Sequence, residues 1–205
     1  MKILVLNAGS SSQKSCLYDI TGDTLPDDPP EPIWEAAIDW GVSDDFGEMK
    51  VEANGVKQAV KIESQAKHEA IAQMLQTLVE GETRVVENLS EIDGVGHRVV
   101  HGGTDYSAAT RINSEVKQAI KDLIPLAPAH NPSHLEGIES IEQVLGDIPH
   151  VAVFDTAFHS QMPPSAAVYP IPYEWFERGI RRYGFHGTSH KYCAQRTAQL
   201  IGQPL

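Results

Sequence analysis

The apolar run Ile3-Leu4-Val5-Leu6 stops at Asn7-Ala8-Gly9, gives way to Ser10-Ser11-Ser12-Gln13-Lys14, and resumes as Ser15-Cys16-Leu17-Tyr18-Asp19-Ile20. A run this short, bounded by turn residues, predicts a buried strand rather than a helix. The return predicts a hairpin with residues 10–14 as its turn, so the fold is organised around a sheet that begins at the amino terminus. The turn has two readings. Gly9 lets the backbone approach an anion, the serines place hydroxyls beside backbone N–H groups, and Lys14 adds a point charge, which together make a phosphate cradle. The alternative is an ordinary Ser/Gly turn with a solvated lysine. It is not the Gly-x-x-x-x-Gly-Lys-Ser/Thr loop, since the second glycine is missing and a strand comes next.

A chain of 205 residues buries a sizeable core and suits one large domain or one domain plus part of another. A formal charge of −12 and a pI near 5.1 argue against nucleic acid or an anionic membrane as the main partner, because both need a basic face, while local basic residues can still bind a small anion. Cys16 and Cys193 lie far apart, in neither a metal nor a disulfide spacing, which points to a reducing compartment. With no signal-peptide pattern and no bilayer-length apolar run, the expectation is a soluble, cytoplasmic protein.

Residues 25–32, rich in Pro and Asp, predict a surface loop. Strands are expected at 33–40, 48–53 and 56–62, the last two joined by a two-residue turn at Asn54-Gly55. Ser64 is placed to cap a helix over 65–79 whose stripe of Ala66, Ala70, Ile71, Met74, Leu75 and Leu78 packs in the core. A helix capped by Asn113 or Ser114 runs to about Leu123, and another runs from beyond His130 to about Leu145. The proline-rich residues 162–172 mark a domain boundary, and Thr188 or Ser189 is expected to cap a last helix ending near Ile201.

Several polar residues fall where chemistry is done. His97 and His101 have a zinc-like spacing only on a helix, and Val99-Val100 with the flanking glycines favours a strand. Arg98 near that strand's end suits bidentate capture of a carboxylate or phosphate, or a surface ion pair; spacing leaves the two comparable. His130 precedes a helix start, where free N–H groups favour anions, although a cap contact fits as well. The strand at 150–154 delivers Asp155 to its carboxyl end, where ligands gather in sheets with helices on their faces; an Asx turn or cap is the alternative. His186, His190 and the arginines before them suggest an anion site against a simple turn and cap.

The segments Asn7-Ala8-Gly9-Ser10-Ser11-Ser12-Gln13-Lys14, Gly96-His97-Arg98-Val99-Val100-His101-Gly102-Gly103, His130-Asn131-Pro132, Phe154-Asp155-Thr156-Ala157-Phe158-His159 and Tyr183-Gly184-Phe185-His186-Gly187-Thr188-Ser189-His190 together closely resemble the acetate kinase family, in its order and spacing, over nearly the whole chain. The resemblance implies an α/β, actin-like ATPase (ribonuclease H-like) domain, a mixed sheet with flanking helices, over 1–160. Residues 161–205 would open a second, similar, nucleotide-binding domain. It implies reversible phosphoryl transfer from ATP to acetate, giving acetyl phosphate and ADP, with Mg2+ (Mn2+ as substitute), no nucleic acid or membrane partner, and a homodimer at full length. By the same resemblance, Asn7 is the magnesium-associated residue, and Lys14, Ser10 and Ser12 contact nucleotide phosphates. Arg98 holds the carboxylate or acyl phosphate, Asp155 is the catalytic acidic residue and His186 stabilises the transition state. His130 lies on the acyl-phosphate side, and Val100, position 129 and Phe185 line the acyl pocket.

Family members run to roughly twice this length by the resemblance, so the chain is expected to be an amino-terminal portion, inactive alone. Gln161 and Ala129 depart from the family pattern, and Ala129 in place of Leu is expected to widen the acyl pocket toward propionate. The competing readings are a related propionate or butyrate kinase, a non-catalytic anion-binding fragment, and a metal-dependent hydrolase built on the histidine pairs.

Overall fold

The computed structural model describes residues 1–9, 11–22, 26, 28, 30–41, 46–62 and 67–205. Strands β1 (Lys2–Ala8), β2 (Ser12–Asp19), β3 (Trp34–Asp39), β4 (Gly47–Ala53) and β5 (Val56–Ile62) form an antiparallel meander. Helix α1 (Lys67–Gln76) leads to β6 (Gly94–Val99), then β7 (Thr110–Arg111), α2 (Ser114–Asp122), α3 (Asn131–Leu145) and β8 (His150–Phe154). The sheet order is β5-β4-β3-β2-β1-β6-β8-β7, with β1, β6 and β8 parallel. Short helices α4 (Pro164–Ala167) and α5 (Glu174–Glu177) precede α6 (Gly187–Ile201). This is the mixed sheet with flanking helices that the sequence predicts.

The first hairpin is tighter than expected. Its strand resumes at Ser12, so Ser12, Gln13 and Lys14 belong to β2 rather than to the turn, and Gly9 N donates to the Ser12 carbonyl at 2.6 Å. Gln13, Ser15 and Leu17 are the buried alternate positions, and Gln13 Nε2 donates to Ser15 Oγ at 3.4 Å. Two polar residues on the core face thus conceal a period-two pattern that apolarity alone does not reveal. Asn54 and Gly55 both have positive φ, 54° and 76°, the conformation a two-residue primed turn requires.

Alternation places Leu4, Leu6, Leu17, Trp34, Ile38, Met49 and Val51 on one face, where they pack against Ala70, Ile71, Met74 and Leu75 of α1 and Ile141 of α3. Val99, Ala152 and Phe154 continue that face against Val116 and Ile120 of α2 and Ile138 of α3. Residues 63–66, with the expected Ser64 cap, Gln65 and Ala66, lie outside the described residues. Helix α1 ends earlier than predicted because Thr77 turns back, its hydroxyl donating to the Met74 carbonyl at 2.7 Å, while Leu78 remains buried beyond it. Asn113, not Ser114, caps α2 by accepting from Val116 N at 2.9 Å. The opposite face of the meander is open, with a groove of about 520 Å3 lined by Lys14, Cys16, Glu35, Lys50 and Lys57 among others.

Candidate functional site

In a parallel set of strands the carboxyl ends converge on one edge, and β1, β6 and β8 end there with Asn7, Arg98 and, one residue past β8, Asp155. Strand alternation puts all three on the face opposite the helices, and Lys14 is there too, directly across the ladder from Asn7. The Asp155 carboxylate is 2% exposed, so burial demands a countercharge, and Arg98 supplies it. Arg98 Nε donates to both Asp155 oxygens at 3.1 Å and Nη2 to Oδ2 at 2.5 Å. Its Nη1 donates to Asn7 Oδ1 at 2.9 Å, and Nη2 lies 3.4 Å from His186 Nδ1. Of the five guanidinium N–H groups, these partners leave one Nη1–H to meet a further anion. The carboxylate Arg98 grips here is therefore the protein's own.

His186 is the N-cap of α6 in a left-handed conformation, φ 54°, and its side chain is 71% exposed. That conformation is costly for a residue with a Cβ and is held in place by its neighbour Gly187. Gly187 N donates to the Asp155 carbonyl at 2.9 Å, and a Cβ on Gly187 would collide with that oxygen. Only glycine lets the start of α6 press against the Asp155 backbone. Neither Thr188 nor Ser189 caps this helix; both lie inside it, because the left-handed turn at His186 starts the helix two residues earlier.

His130 is the N-cap of α3, exposed and making no side-chain cap bond. It stacks on His134 with ring centroids 6.2 Å apart. Sequence reasoning passes over His134, though two histidines four apart at a helix start share a face. The His134 ring is buried; Nδ1 accepts from Val100 N at 3.2 Å and Nε2 donates to Ala8 O at 2.7 Å. Burial pushes its pKa down to about 4. His97, on the core face, contacts His150 (Nε2 to Nδ1, 2.9 Å), and burial followed by the His150 charge pushes its pKa down to about 3. His101, by contrast, accepts from Gly103 N at 3.0 Å and stands edge-on to Tyr183. Among the described residues no group of three or more His, Cys, Asp or Glu side chains is arranged to hold a metal ion.

Phe185 is exposed and stands edge-on to His101, ring centroids 5.6 Å apart. Beside it is a cavity of about 350 Å3 whose walls include His101, Leu126, Tyr169 and Tyr183. Val100 and Ala129 do not line that cavity; Val100 is half-buried, and Ala129 is exposed ahead of α3. Ser12 is half-buried, its carbonyl accepting from Gly9 N at 2.6 Å, and Ser10 lies outside the described residues. The structure thus gathers Asn7, Arg98, Asp155 and His186 into one hydrogen-bonded cluster with Lys14 on the neighbouring strand. His130 adjoins it through His134.

The chain has close relatives among known proteins. The chain is 66% identical over its whole length to an acetate kinase of Microcystis aeruginosa, of which it covers 51%, and 63% identical to one of Synechocystis, of which it covers 50%. The fold superposes on the crystal structure of Porphyromonas gingivalis acetate kinase with a TM-score of 0.86 at 36% identity, covering 99% of this chain and 49% of that one. A propionate kinase from Francisella tularensis gives a TM-score of 0.84 at 37% identity, covering 98% and 49%. The chain spans about half the length of the curated relatives it matches. Its architecture is the actin-like ATPase fold of these neighbours, and with residues 2–205 matched by the acetokinase family model, the chain belongs to the acetokinase family.

Proposed function

We propose that this chain carries the acyl-phosphate side of a kinase that moves a phosphoryl group reversibly between ATP and acetate, giving acetyl phosphate and ADP. The observation that carries the proposal is the Asn7–Arg98–Asp155–His186 cluster at the carboxyl ends of three parallel strands. Phosphoryl transfer spreads negative charge over the moving group, so the protein's task is positioning and neutralisation rather than proton transfer. Acetate is already a carboxylate at neutral pH and needs no base. Arg98, held flat by Asp155, directs its remaining N–H outward, and exposed His186 stands beside it as a second donor. Lys14, with Ser12 and Ser10, would take the nucleotide phosphates, His130 would face the acyl phosphate, and Phe185 with Val100 would border the methyl group.

Mg2+, which keeps most of its water and is held by one or two carboxylates plus substrate phosphates, would draw on the Asn7 and Asp155 oxygens, both of which Arg98 occupies here. Bound there, Mg2+ or Mn2+ would supply charge neutralisation on the phosphates. In this reading residues 1–160 form the acyl-side domain and 161–205 begin the nucleotide domain, in a cytoplasmic enzyme that is a homodimer at full length. No helix among the described residues is long and apolar enough to cross a membrane. The test is acetate-dependent ADP release by the enzyme carrying this chain. Arg98→Ala should lower kcat/KM by roughly 30- to 1000-fold, equivalent to about 2–4 kcal/mol; unchanged kinetics would sink the assignment.

A second reading, propionate as the preferred acyl substrate, is favoured by the near-equal match to the propionate kinase and by the cavity beside Phe185. One methylene is worth about 1–3 kcal/mol in an apolar pocket. Parallel acetate and propionate kinetics decide between the two.

A further inference from the structure

The backbone ladder between β1 and β6 stops at the pair Leu6–His97, before the residues that do the work at either strand end. Past that point, the His134 imidazole spans the gap, accepting from Val100 N at 3.2 Å and donating to Ala8 O at 2.7 Å. Ala8 directly follows Asn7, and Val100 is two residues after Arg98. On the other face of the same strand ends, Arg98 Nη1 reaches Asn7 Oδ1 at 2.9 Å. The ring is a side-chain rung replacing the missing backbone rung, fixed from α3. Its two partners, an N–H and a carbonyl, specify the neutral ring with the proton on Nε2.

We propose that His134 is a positioning residue which splices the ends of β1 and β6 and thereby sets Arg98 against Asn7 and Asp155. It touches no substrate; it acts through the backbone on either side of it, and its activity readout rests on the kinase reading above. Removing it leaves Ala8 O and Val100 N–H unpaired beneath the cluster, where a buried unsatisfied group is expensive.

The chain itself, labelled with 15N, should show His134 as the neutral Nε2–H tautomer, and an Nδ1–H tautomer would overturn the proposal. In the enzyme carrying this chain, His134→Leu should lower kcat about a hundredfold with the acetate KM changed less than about threefold, the signature of a misplaced transition-state contact. His134→Asn keeps an acceptor for Val100 and His134→Gln a donor toward Ala8, so each should recover part of the loss. Equal losses in all three, or a folded His134→Leu enzyme with near wild-type kcat, would overturn the splice. If the leucine variant does not fold, the Asn and Gln variants are compared with wild type instead: intermediate kcat supports the splice, and wild-type kcat in both overturns it. Should the unsubstituted enzyme make no acetyl phosphate, the kinase reading falls by itself. The splice is then read from the Arg98 Nε–H resonance, whose exchange should quicken in the variants and whose constancy would overturn it.

Discussion

At the scale of single residues, the cluster depends on groups that cannot be exchanged for near relatives. Arg98 serves Asp155 through Nε and Nη2 while Nη1 serves Asn7, a fork an ammonium cannot reproduce. Arg98→Lys should therefore recover only part of the kcat/KM lost in Arg98→Ala, measured side by side in the ADP-release assay. Gly187 is required for a different reason. A Cβ there collides with the Asp155 carbonyl, so Gly187→Ala must push α6 or the Asp155 backbone away. Overpacking of this kind costs about 1–3 kcal/mol. The variant should melt earlier than wild type and lose acetate-dependent turnover; full activity in a folded Gly187→Ala enzyme would show that α6 does not set His186. The residue identities of the cluster were legible in the sequence, through the family resemblance, but the Arg98–Asp155 ion pair was not. Fifty-seven positions separate the two, and nothing in local spacing tells a guanidinium which carboxylate it will meet.

At the scale of elements, signals carried by backbone chemistry were legible, and those hidden by polarity were not. Asn54-Gly55 announces its turn because both residues tolerate positive φ. The start of β2 is concealed because Gln13 and Ser15 fill core-side positions. Helix α2 admits two candidate caps in sequence, and the structure chooses Asn113, whose side chain accepts from Val116 N at 2.9 Å. Asn113→Ala should cost about 1 kcal/mol, the usual worth of such a cap. Ser114→Ala should cost much less in the same urea titration, and the reverse order would contradict the cap geometry. The start of α6 is hidden in the sequence because Thr188 and Ser189 are good cap residues by composition. What starts the helix is His186 in a left-handed turn, imposed by the contact between Gly187 and Asp155.

At the scale of the whole molecule, buried histidines make stability depend on pH, with His101 and His150 lowered by burial in the same direction as His134 and His97. His134 and His97 have pKa values pushed down to about 4 and about 3, chiefly by burial, so the native state keeps both neutral where the unfolded chain protonates them. The unfolded state then holds more protons, and stability falls as pH falls. Their contribution is complete above the ordinary histidine range near 6.5. It declines by up to about 1.4 kcal/mol per pH unit for each ring, down to about pH 4 for His134 and about pH 3 for His97. Urea midpoints between pH 7.5 and 4.5 should decrease accordingly, and His97→Gln should flatten the slope; a flat wild-type profile would contradict the burial of both rings as neutral groups. By itself the sequence determined the strand-rich start, the Asn-Gly turn, the helices and the family, because each is written in local periodicity, in backbone-permissive residues or in short ordered motifs. Only the tertiary structure decided that Arg98 grips Asp155, that His134 bridges two strand ends and that His97 faces His150. Those are contacts between residues tens of positions apart, set by sheet register and by the face each strand presents to the helices.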